Sequence, residues 1–451
     1  MSRSTVFLIG LICLTSAAAD EAPRDDSAPA RGYRFLTEKP YLTPDFDQDI
    51  IDNVWKAWPE PLRSQAEKAS ADERRKLIFS RYGLTPRPDD PTKPLQYVVG
   101  ADGKWTMNCF ACHGGQIEGT TVPGLPNSRF ALATLTEETR VVKSELGRPF
   151  SRMDVGSLFV PLGATNGTTN AVNFGVALMA FRDKDLNVHT PKVPPTMVHH
   201  DMDAPPWWHF KKRSQIYIDG FTEKSVRGLM QFMLIRENGP EKFRAWEADF
   251  KDVYAYLESL TPPKYPHAID RDLAARGKVA FERVCAECHG TYGEKETYPA
   301  RVVPIAEIGT DPVRYKALLP KQRQALGDSW FADHGGKKTI AEPAGYLAPP
   351  LDGVWASAPY FHNGSVPTLR QVLFPEERPK VWKRTETGYD RERVGLDVET
   401  FERLPEGVTA SWEKRTYFDT TLFGKSAAGH DYPSALTDEE RRAVLEYLKT
   451  L

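Results

Sequence analysis

The chain has few cysteines, no strongly basic segment and no long apolar run. Each of these features excludes a class of structure or partner. Five cysteines occur among 451 residues; with Cys13 set aside, the other four belong to two short motifs, so no disulfide is left to propose. The formal net charge is −2 and no strongly basic cluster is present, so neither nucleic acid nor an acidic membrane is an expected partner. A hydrophobic content of 40% and a charged content of 27% are those of a soluble globular protein.

The apolar stretch at the N-terminus is too short to cross a membrane. Val6–Leu14 provides about nine apolar residues, whereas a membrane span needs roughly 20. Arg3 before this stretch and Ala17–Ala19 after it complete the pattern of a secretory signal. We therefore predict a signal peptide over residues 1–19, a mobile polar leader over residues 20–31, and no membrane span after signal cleavage.

Two five-residue stretches carry the chemistry of the chain, and each has the sequence C-x-x-C-H. This is the attachment pattern of a c-type haem: the two thiols reach the two vinyl groups of one porphyrin, and the following histidine presents its imidazole to the iron. A zinc site or a redox dithiol is the competing interpretation of C-x-x-C, but export and the histidine after each pair argue against it. The predicted thioether cysteines are Cys109, Cys112, Cys285 and Cys288, and the predicted iron ligands are His113 and His289.

Two covalently bound haem c groups are therefore the predicted cofactors. Covalent haem attachment takes place outside the cytoplasm, so the signal peptide and the two motifs together predict a periplasmic protein. A haem with two protein ligands stores or passes electrons, whereas one with an open face can bind dioxygen or peroxide. Function therefore depends on the ligand opposite each motif histidine.

The order of the patterns predicts a mainly α protein with two cytochrome c-type haem domains, long loops and little β-structure. Residues 32–262 are expected to form an N-terminal haem domain with extensions, and residues 263–451 a C-terminal cytochrome c domain. The proline-rich segment Thr261–Pro266 is the best candidate for the boundary between them.

Several local patterns within these domains are specific enough to test. Asp270–Val284 predicts a helix that runs into the second motif, and Leu436–Leu451 a final amphipathic helix with an acidic cap; this order is typical of a small cytochrome c domain. Another helix is predicted from about Ser64 to Tyr82, stopping at Gly83. A small hairpin is predicted within Leu95–Met107.

The second haem has few possible ligands on its far side. The last of the eight methionines is Met233, so the C-terminal domain offers no thioether. Its possible nitrogen ligands are His334, His362 and His430, among which spacing does not choose. The second haem is therefore expected to be bis-histidine or open.

The first haem has more candidates for its far side, and the sequence does not rank them. An apolar pocket there would suit dioxygen, and a pocket with a carboxylate or histidine would suit peroxide cleavage, which needs proton transfer. The candidate distal groups are His189, His199, His200, His209, Met153 and Met179.

The aromatic–basic segment that ends at Arg213 offers two further roles. Trp207 and Trp208 are candidates for electron transfer between the haems, because indole can be oxidised transiently; simple packing is the alternative. Lys211, Lys212 and Arg213 can neutralise haem propionates or form a solvated basic turn.

Residues 347–369, which contain Ala-Pro-Tyr-Phe-His, resemble the signature of the bacterial di-haem cytochrome c peroxidases and the related MauG enzymes. Asn363, Trp207-Trp208 with the lysines that follow, and Gly167–Ala171 are closer to the rubber-oxygenase (RoxA-like) branch. The resemblance covers most of residues 95–451 and is strongest after residue 270.

This resemblance implies roles for several residues. His430 occupies the position of the second haem's far ligand, which implies ligation by His289 and His430 as in the rubber-oxygenase branch, with His362 as the alternative. The N-terminal haem is the reactive one in these families, and its far face is open or can open. A glutamate performs acid–base catalysis in the peroxidases, a role for which Glu118 is the candidate.

We therefore expect a periplasmic di-haem c-type cytochrome oxidoreductase. Its N-terminal haem would activate peroxide or dioxygen, and its C-terminal bis-histidine haem would transfer or store electrons for a periplasmic donor or acceptor, a small cytochrome or a cupredoxin. The alternatives are a non-enzymatic di-haem electron-transfer cytochrome and an oxygenase that cleaves a hydrophobic, isoprenoid-like substrate. Calcium is kept as a candidate additional cofactor.

Overall fold

The computed structural model describes residues 25–333 and 339–451. The predicted signal peptide, the start of the predicted leader and the candidate ligand His334 lie outside the described residues. The α-helices are α1 (Ala28–Glu38), α2 (Gln48–Asn53), α3 (Leu62–Lys68), α4 (Ala71–Tyr82), α5 (Phe110–His113), α6 (Leu132–Glu145), α7 (Arg152–Gly156), α8 (Ala171–Met179), α9 (Pro240–Ser259), α10 (Arg271–Val284), α11 (Ala286–His289), α12 (Ile305–Ile308), α13 (Val313–Ala317), α14 (Pro320–Gly327), α15 (Leu369–Leu373), α16 (Ser411–Lys414) and α17 (Asp438–Leu448).

Short strands and 3-10 turns connect these helices. The strands are β1 (Phe46–Asp47), β2 (Pro86–Arg87), β3 (Asp90–Pro94), β4 (Tyr97–Val99), β5 (Lys104–Met107), β6 (Gln116–Ile117), β7 (Thr120–Thr121), β8 (Gln215–Ile216), β9 (Thr222–Glu223), β10 (Val302–Val303), β11 (Tyr346–Leu347), β12 (Val381–Asp390), β13 (Gly395–Phe401) and β14 (Tyr417–Asp419). The 3-10 helices are Val54–Ala57, Trp207–Lys211, Arg227–Met233, Val354–Ala356, Pro375–Glu377 and Tyr432–Ala435.

The prediction of a mainly α protein with little β-structure is wrong. The structure is 40% helical and 13% strand, with several small sheets, and is therefore mixed. One antiparallel sheet has the order β1-β5-β4 and another β13-β12-β14. The second sheet lies in the long extension between the second motif and the final helix, where Trp382 pairs with Phe418 across strands and the rings stack at 5.1 Å. Such cross-strand pairs stabilise a sheet, and no strand was predicted from the sequence in this region.

The domain boundaries stay a prediction. The connection between α9 and α10 contains the proposed boundary. Leu125 and Trp208, from the first half of the chain, nevertheless pack in one core with Phe281 and Trp355 from the second. The two halves thus share apolar packing next to the haem motifs.

The predicted hairpin is confirmed, and the predicted helix from Ser64 to Tyr82 is wrong in one respect. β4 and β5 pair antiparallel. The helix is divided into α3 and α4 because Ser70 caps α4 in a capping box with Glu73, which starts a new helix. Gly83, at φ 64°, then ends α4 in the left-handed conformation, as expected for a C-terminal glycine.

Part of the predicted mobile leader is instead ordered as the start of α1. The Ser27 hydroxyl caps this helix, and Arg31 forms an ion pair of 2.7 Å with Asp252 of α9. At Gly32 a Cβ would lie 2.2 Å from the Asp252 carbonyl oxygen, so only glycine allows this approach. The polar composition of the leader did not reveal this long-range packing.

The predicted helices on either side of the second motif are confirmed. Asp270 caps α10, and Thr437 caps α17 in a capping box. The two helices pack together, with the rings of Phe281 and Tyr447 at 5.3 Å. At Gly277 a Cβ would lie 1.9 Å from the Ala443 carbonyl oxygen, so the backbones touch at this point.

The close contact at Gly277 gives a stability prediction. We expect Gly277→Ala to destabilise the protein by about 1–3 kcal/mol, the usual cost of overpacking, because neither backbone can withdraw cheaply. The measurement is the melting temperature of the purified protein. Gly175→Ala is the matched control: it also lies within a helix but has no atom within 4 Å of its added Cβ, so it should be neutral or stabilise by up to about 1 kcal/mol. Equal effects from the two changes would contradict the packing argument.

Within residues 25–333 and 339–451, no helix has both the length and the apolar character that a membrane span requires.

Candidate functional site

Both C-x-x-C-H motifs border one cavity of about 960 Å³, which is at the upper end of the roughly 300–1,000 Å³ of ligand pockets. Most of its wall is apolar, and the polar groups are few. The structure brings the predicted attachment and ligand residues to this wall, namely Cys109, Cys112, His113, Cys285, Cys288, His289, His362 and His430.

The first motif is positioned by the hairpin and by a proline carbonyl. Asn108 accepts a hydrogen bond from the Phe110 backbone (2.9 Å) and thereby starts α5. Nδ1 of His113 lies 3.0 Å from the carbonyl oxygen of Pro205. Because a carbonyl only accepts, Nδ1 carries the proton and Nε2 is left with the lone pair that a metal ligand needs. Burial lowers the pKa of His113 to about 4, so the ring is neutral.

The second motif repeats this arrangement. Helix α10 leads directly into Cys285, and Nδ1 of His289 lies 2.8 Å from the carbonyl oxygen of Pro349. The Tyr292 hydroxyl donates to the His289 carbonyl (3.0 Å) and accepts from the Leu351 backbone (2.7 Å), which holds the proline segment against the motif. Burial lowers the pKa of His289 as well.

The two proline acceptors lie in identical Ala-Pro-Pro sequences, residues 204–206 and 348–350. In each case the first proline carbonyl holds a motif histidine. The sequence analysis missed this repeat. A search for short repeats placed downstream of each motif would have found it.

His430 faces His289 across the cavity, with ring centroids 6.1 Å apart. An imidazole nitrogen binds a transition metal at about 2 Å and lies about 1 Å from its ring centre, so two imidazoles on one ion have centres about 6 Å apart. His430 has φ 56°, a left-handed conformation that is uncommon for non-glycine residues and often marks a functional position. Arg378 holds this loop through the carbonyls of Ala427 (2.7 Å) and Gly429 (2.8 Å).

His362 borders the same cavity but has different neighbours. Its ring lies 4.6 Å from that of Tyr346. Burial lowers its pKa to about 3, and Arg314 and His200 add to the effect. The structure therefore favours His430 over His362 as the group opposite His289.

Glu118, the predicted acid–base residue, lies at the surface, and its catalytic role stays a prediction. Its side chain is not part of the described cavity wall. The carboxylate instead accepts hydrogen bonds from His267 (2.7 Å) and Arg391 (2.8 Å), which hold it in an ion-pair cluster at the surface.

Two half-buried carboxyl groups that were not singled out from the sequence border the cavity, Asp45 and Asp203. Asp45 accepts a hydrogen bond from the Met107 backbone (3.2 Å), and burial raises its pKa to about 7. Burial raises the pKa of Asp203 well above its usual range. Burial is a tertiary property, and no local sequence signal marks either residue.

The two tryptophans connect the motif regions. Trp207 stacks on His113 at 4.7 Å and 25°. Trp208 is 4% exposed and donates from its indole nitrogen to the carbonyl of Asp352 (2.7 Å), three residues after Pro349. The pair thus contacts the first motif histidine on one side and the segment that holds the second on the other.

The basic residues next to the tryptophans have different surroundings. Lys212 is paired with Asp352 (2.7 Å) and Glu296 (2.9 Å). Arg213 borders the cavity, donates to the Tyr217 carbonyl, and has a buried Nε with no partner among the described atoms. Burial lowers the pKa of Arg213, and such a cation suits a haem propionate.

The distal candidates for the first haem separate into two groups. Met153 and His209 are part of the cavity wall, whereas the described wall does not include the other four. Nε2 of His209 donates to the Asp352 carbonyl (2.9 Å) and Nδ1 keeps its lone pair, so Met153 and His209 are both candidates at the cavity. The candidates away from the wall are His189, His199, His200 and Met179.

The residues present therefore fit a covalently bound haem at each motif. Each site has two cysteines at the cavity wall and a histidine with Nδ1 held by a carbonyl, and Arg213 supplies a buried cation. In the described part of the chain, no group of three or more His, Cys, Asp or Glu side chains is arranged for a metal ion, and calcium stays a prediction.

Comparison with known proteins agrees with this chemistry over part of the chain. Residues 345–383 match a family model described as RoxA-like, cytochrome c-like. This match supports covalent haem c and a cytochrome c character for the segment that contains Pro349 and His362, and it agrees with the RoxA-like branch of the resemblance. It does not extend to the MauG enzymes.

Two proteins of Sinorhizobium fredii are similar to this chain. Uncharacterized protein y4iM is 27% identical over 303 residues, which cover 58% of this chain and 67% of y4iM. Uncharacterized protein y4iJ is 28% identical over 258 residues, which cover 43% of this chain and 41% of y4iJ.

Proposed function

We propose that the protein is a periplasmic di-haem c-type oxidoreductase in which the His113 site reacts with peroxide or dioxygen and the site of His289 and His430 stores or passes electrons. The asymmetry of the two histidines carries this proposal. His430 faces His289, whereas among the described ring contacts His113 has only Trp207, stacked against its flat face. The described ring contacts thus give His113 no second imidazole, and we propose that the far side of an iron at His113 is open to a small molecule.

The side chains around the two sites support different roles for them, reaction with a small oxidant at the His113 site and electron transfer at the His289 site. Haem c supplies a reversible one-electron change and, where a position is open, a binding site for small oxidants. Two imidazoles at the second site favour a lower potential than imidazole and thioether would. Trp207 contacts His113 and Trp208 contacts the segment that holds His289, so the pair offers a connection between the regions. A small cytochrome or cupredoxin is the proposed redox partner.

Absorption and EPR spectra of the isolated protein, recorded before and after addition of peroxide and with cyanide, test this proposal. We expect one iron to bind cyanide and to react with peroxide, while the other stays low-spin. Two low-spin irons that ignore both ligands would contradict the proposal and favour a non-enzymatic electron-transfer cytochrome.

Asp45 gives a sharper test of peroxide chemistry, because peroxide cleavage needs a group that accepts and returns a proton. Its pKa of about 7 means that the carboxylate forms as the pH rises through 7, so the rate of peroxide reaction should rise over the same range. Asp45→Asn should lower that rate by about 100-fold or more and remove the inflection. Stopped-flow absorbance measures both.

Glu118→Gln is the matched control, because this carboxylate lies in the surface cluster with His267 and Arg391. We expect its peroxide rate to stay within about twofold of the unmodified protein. A large loss with Glu118→Gln and none with Asp45→Asn would reverse our assignment.

One observation favours a second candidate, an oxygenase that acts on a hydrophobic, isoprenoid-like substrate. In α8 the polar Asn173 is buried, whereas its apolar neighbours are half-buried, and Val172, Phe174 and Leu178 form part of the cavity wall. Oxygen uptake with a soluble isoprenoid, measured with catalase present to remove peroxide, tests this candidate. Uptake that depends on the substrate would favour the oxygenase over the peroxidase.

A further inference from the structure

We propose that Trp207, Tyr256 and Tyr33 form a chain of oxidisable rings that carries oxidising equivalents from the His113 site to the protein surface at Tyr33. This inference rests on the proposed reaction of the His113 site with peroxide. It gives a redox role to α1, the helix that begins inside the predicted leader.

The rings follow one another without a gap. The centroid of Trp207 lies 4.7 Å from that of His113 and 6.4 Å from that of Tyr256, and Tyr256 lies 5.7 Å from Tyr33. The ring of Phe110 also contacts this series, with its centroid 5.0 Å from that of Trp207 and 5.9 Å from that of Tyr33. All of these separations are those of aromatic rings in contact.

The two tyrosines of the ring chain have opposite surroundings. Tyr256 is 8% exposed and lies in the interior beside Trp207. At the other end, the Tyr33 hydroxyl donates to Oδ1 of Asp89 (2.8 Å), whose side chain is 47% exposed. Since a phenol gives up an electron easily only when its proton leaves too, Tyr33 has both the acceptor and the access to water that this needs.

The fold holds Tyr33 on Tyr256 through the residues just before it. Arg31 pairs with Asp252 of α9 at 2.7 Å. At Gly32 a Cβ would lie 2.8 Å from Cβ of Tyr256, so the glycine allows α1 to approach α9 at the level of Tyr256. The contact between the rings of Tyr33 and Tyr256 therefore depends on Gly32.

The overall reaction balances with hydrogen peroxide as the oxidant. One H₂O₂ and two oxidations of the Tyr33 phenol give two waters and two phenoxyl radicals, as the O–O bond and two phenolic O–H bonds break. Each electron passes through Tyr256 and Trp207 towards the His113 site. Each proton passes to Asp89 and then to solvent, and is matched by one taken up as water forms. A soluble one-electron reductant such as ascorbate then restores the phenol.

Radical trapping on the complete haem-loaded protein tests the inference. Peroxide is added with a nitroso spin trap, and peptide mass spectrometry locates the adduct. We expect the adduct at Tyr33 and little at Tyr254, the matched comparison. Tyr254 lies on α9 and its phenol is also beside a carboxylate, Glu258, but its ring contacts Phe210 at 5.0 Å, and a phenyl ring is not readily oxidised.

Two variants test whether Trp207 and Tyr256 carry the oxidation to Tyr33. Each replaces an oxidisable ring by a phenyl ring, so an aromatic ring stays at that position. Trp207→Phe and Tyr256→Phe should each reduce the adduct at Tyr33 about tenfold, the factor that a barrier increase of about 1.4 kcal/mol produces. Using both guards against one variant that fails to fold, and ascorbate should suppress the adduct in the unmodified protein.

Peroxide consumption in the same samples distinguishes failure of the proposed ring chain from failure of the proposed peroxide reaction. If peroxide is consumed but Tyr33 is not trapped, or is trapped as strongly in both variants as in the unmodified protein, the proposed ring chain is overturned and the proposed function stands. If the unmodified protein neither consumes peroxide nor forms an adduct, the chain and the peroxide reaction fall together.

Discussion

Replacing Cys285 and Cys288 by alanine is expected to remove one of two covalently bound haems and to leave the other attached. The two motifs lie on separate short helices, α5 and α11, and each contributes its own pair of cysteines to the cavity wall. Thioether formation at one pair therefore does not need the other. The intact mass of the mature protein measures the number of haems, and a haemochrome assay on the same sample measures the iron porphyrin.

The reciprocal variant, Cys109→Ala with Cys112→Ala, is the control and should retain the other haem. The two variants should also differ in function: loss of the first haem should abolish cyanide binding and peroxide reaction, whereas loss of the second should leave cyanide binding intact. A single haem in the unmodified protein, or none, would overturn the di-haem assignment. Loss of both haems from either double variant would instead contradict the independence of the two attachment sites.

The features that could be predicted from the sequence were those with short-range causes. The motif cysteines and histidines lie within five residues, and Asp270 and Thr437 cap α10 and α17 through contacts with the next turn. The pairing of β4 with β5 needed only a glycine turn between short strands.

The features that could not be predicted depend on contacts far apart in the chain. The carbonyl that holds His113 belongs to a residue 92 positions away, and the one that holds His289 to a residue 60 positions away. Asp45 becomes an acid with a pKa of about 7 only because the fold buries it. Glu118 lies close to His113 in the sequence, but the fold places it outside the described cavity wall.

The placement of His430 opposite His289 could be predicted in part from the sequence. The missing methionine limited the second haem to a few histidines, and the resemblance, not the spacing, selected His430. The structure adds the 6.1 Å ring separation from His289 and the left-handed backbone at φ 56°. A loop held in an uncommon conformation, with its histidine aimed at the motif, is typical of a built ligand site.

His430→Gly is therefore expected to convert the second haem from low-spin to high-spin, and millimolar imidazole should restore the low-spin state. Glycine accepts φ 56° without strain, so the loop should keep its shape and leave a space of the size of imidazole. Loss of this ligand should also shift the midpoint potential by on the order of 100 mV, a modest part of the roughly 0.8 V range that axial ligands control. EPR before and after imidazole, with a redox titration of the same sample, measures both effects.

His362→Gly is the control, because this ring lies against Tyr346 and not opposite His289. It should leave the spectrum of the second haem unchanged, and imidazole should have no effect on it. A second haem that stays low-spin in His430→Gly and becomes high-spin in His362→Gly would assign the ligand to His362. In that case the second haem would still have two imidazole ligands, and its expected low potential would not change. The left-handed backbone at His430 would then have a cause other than haem ligation.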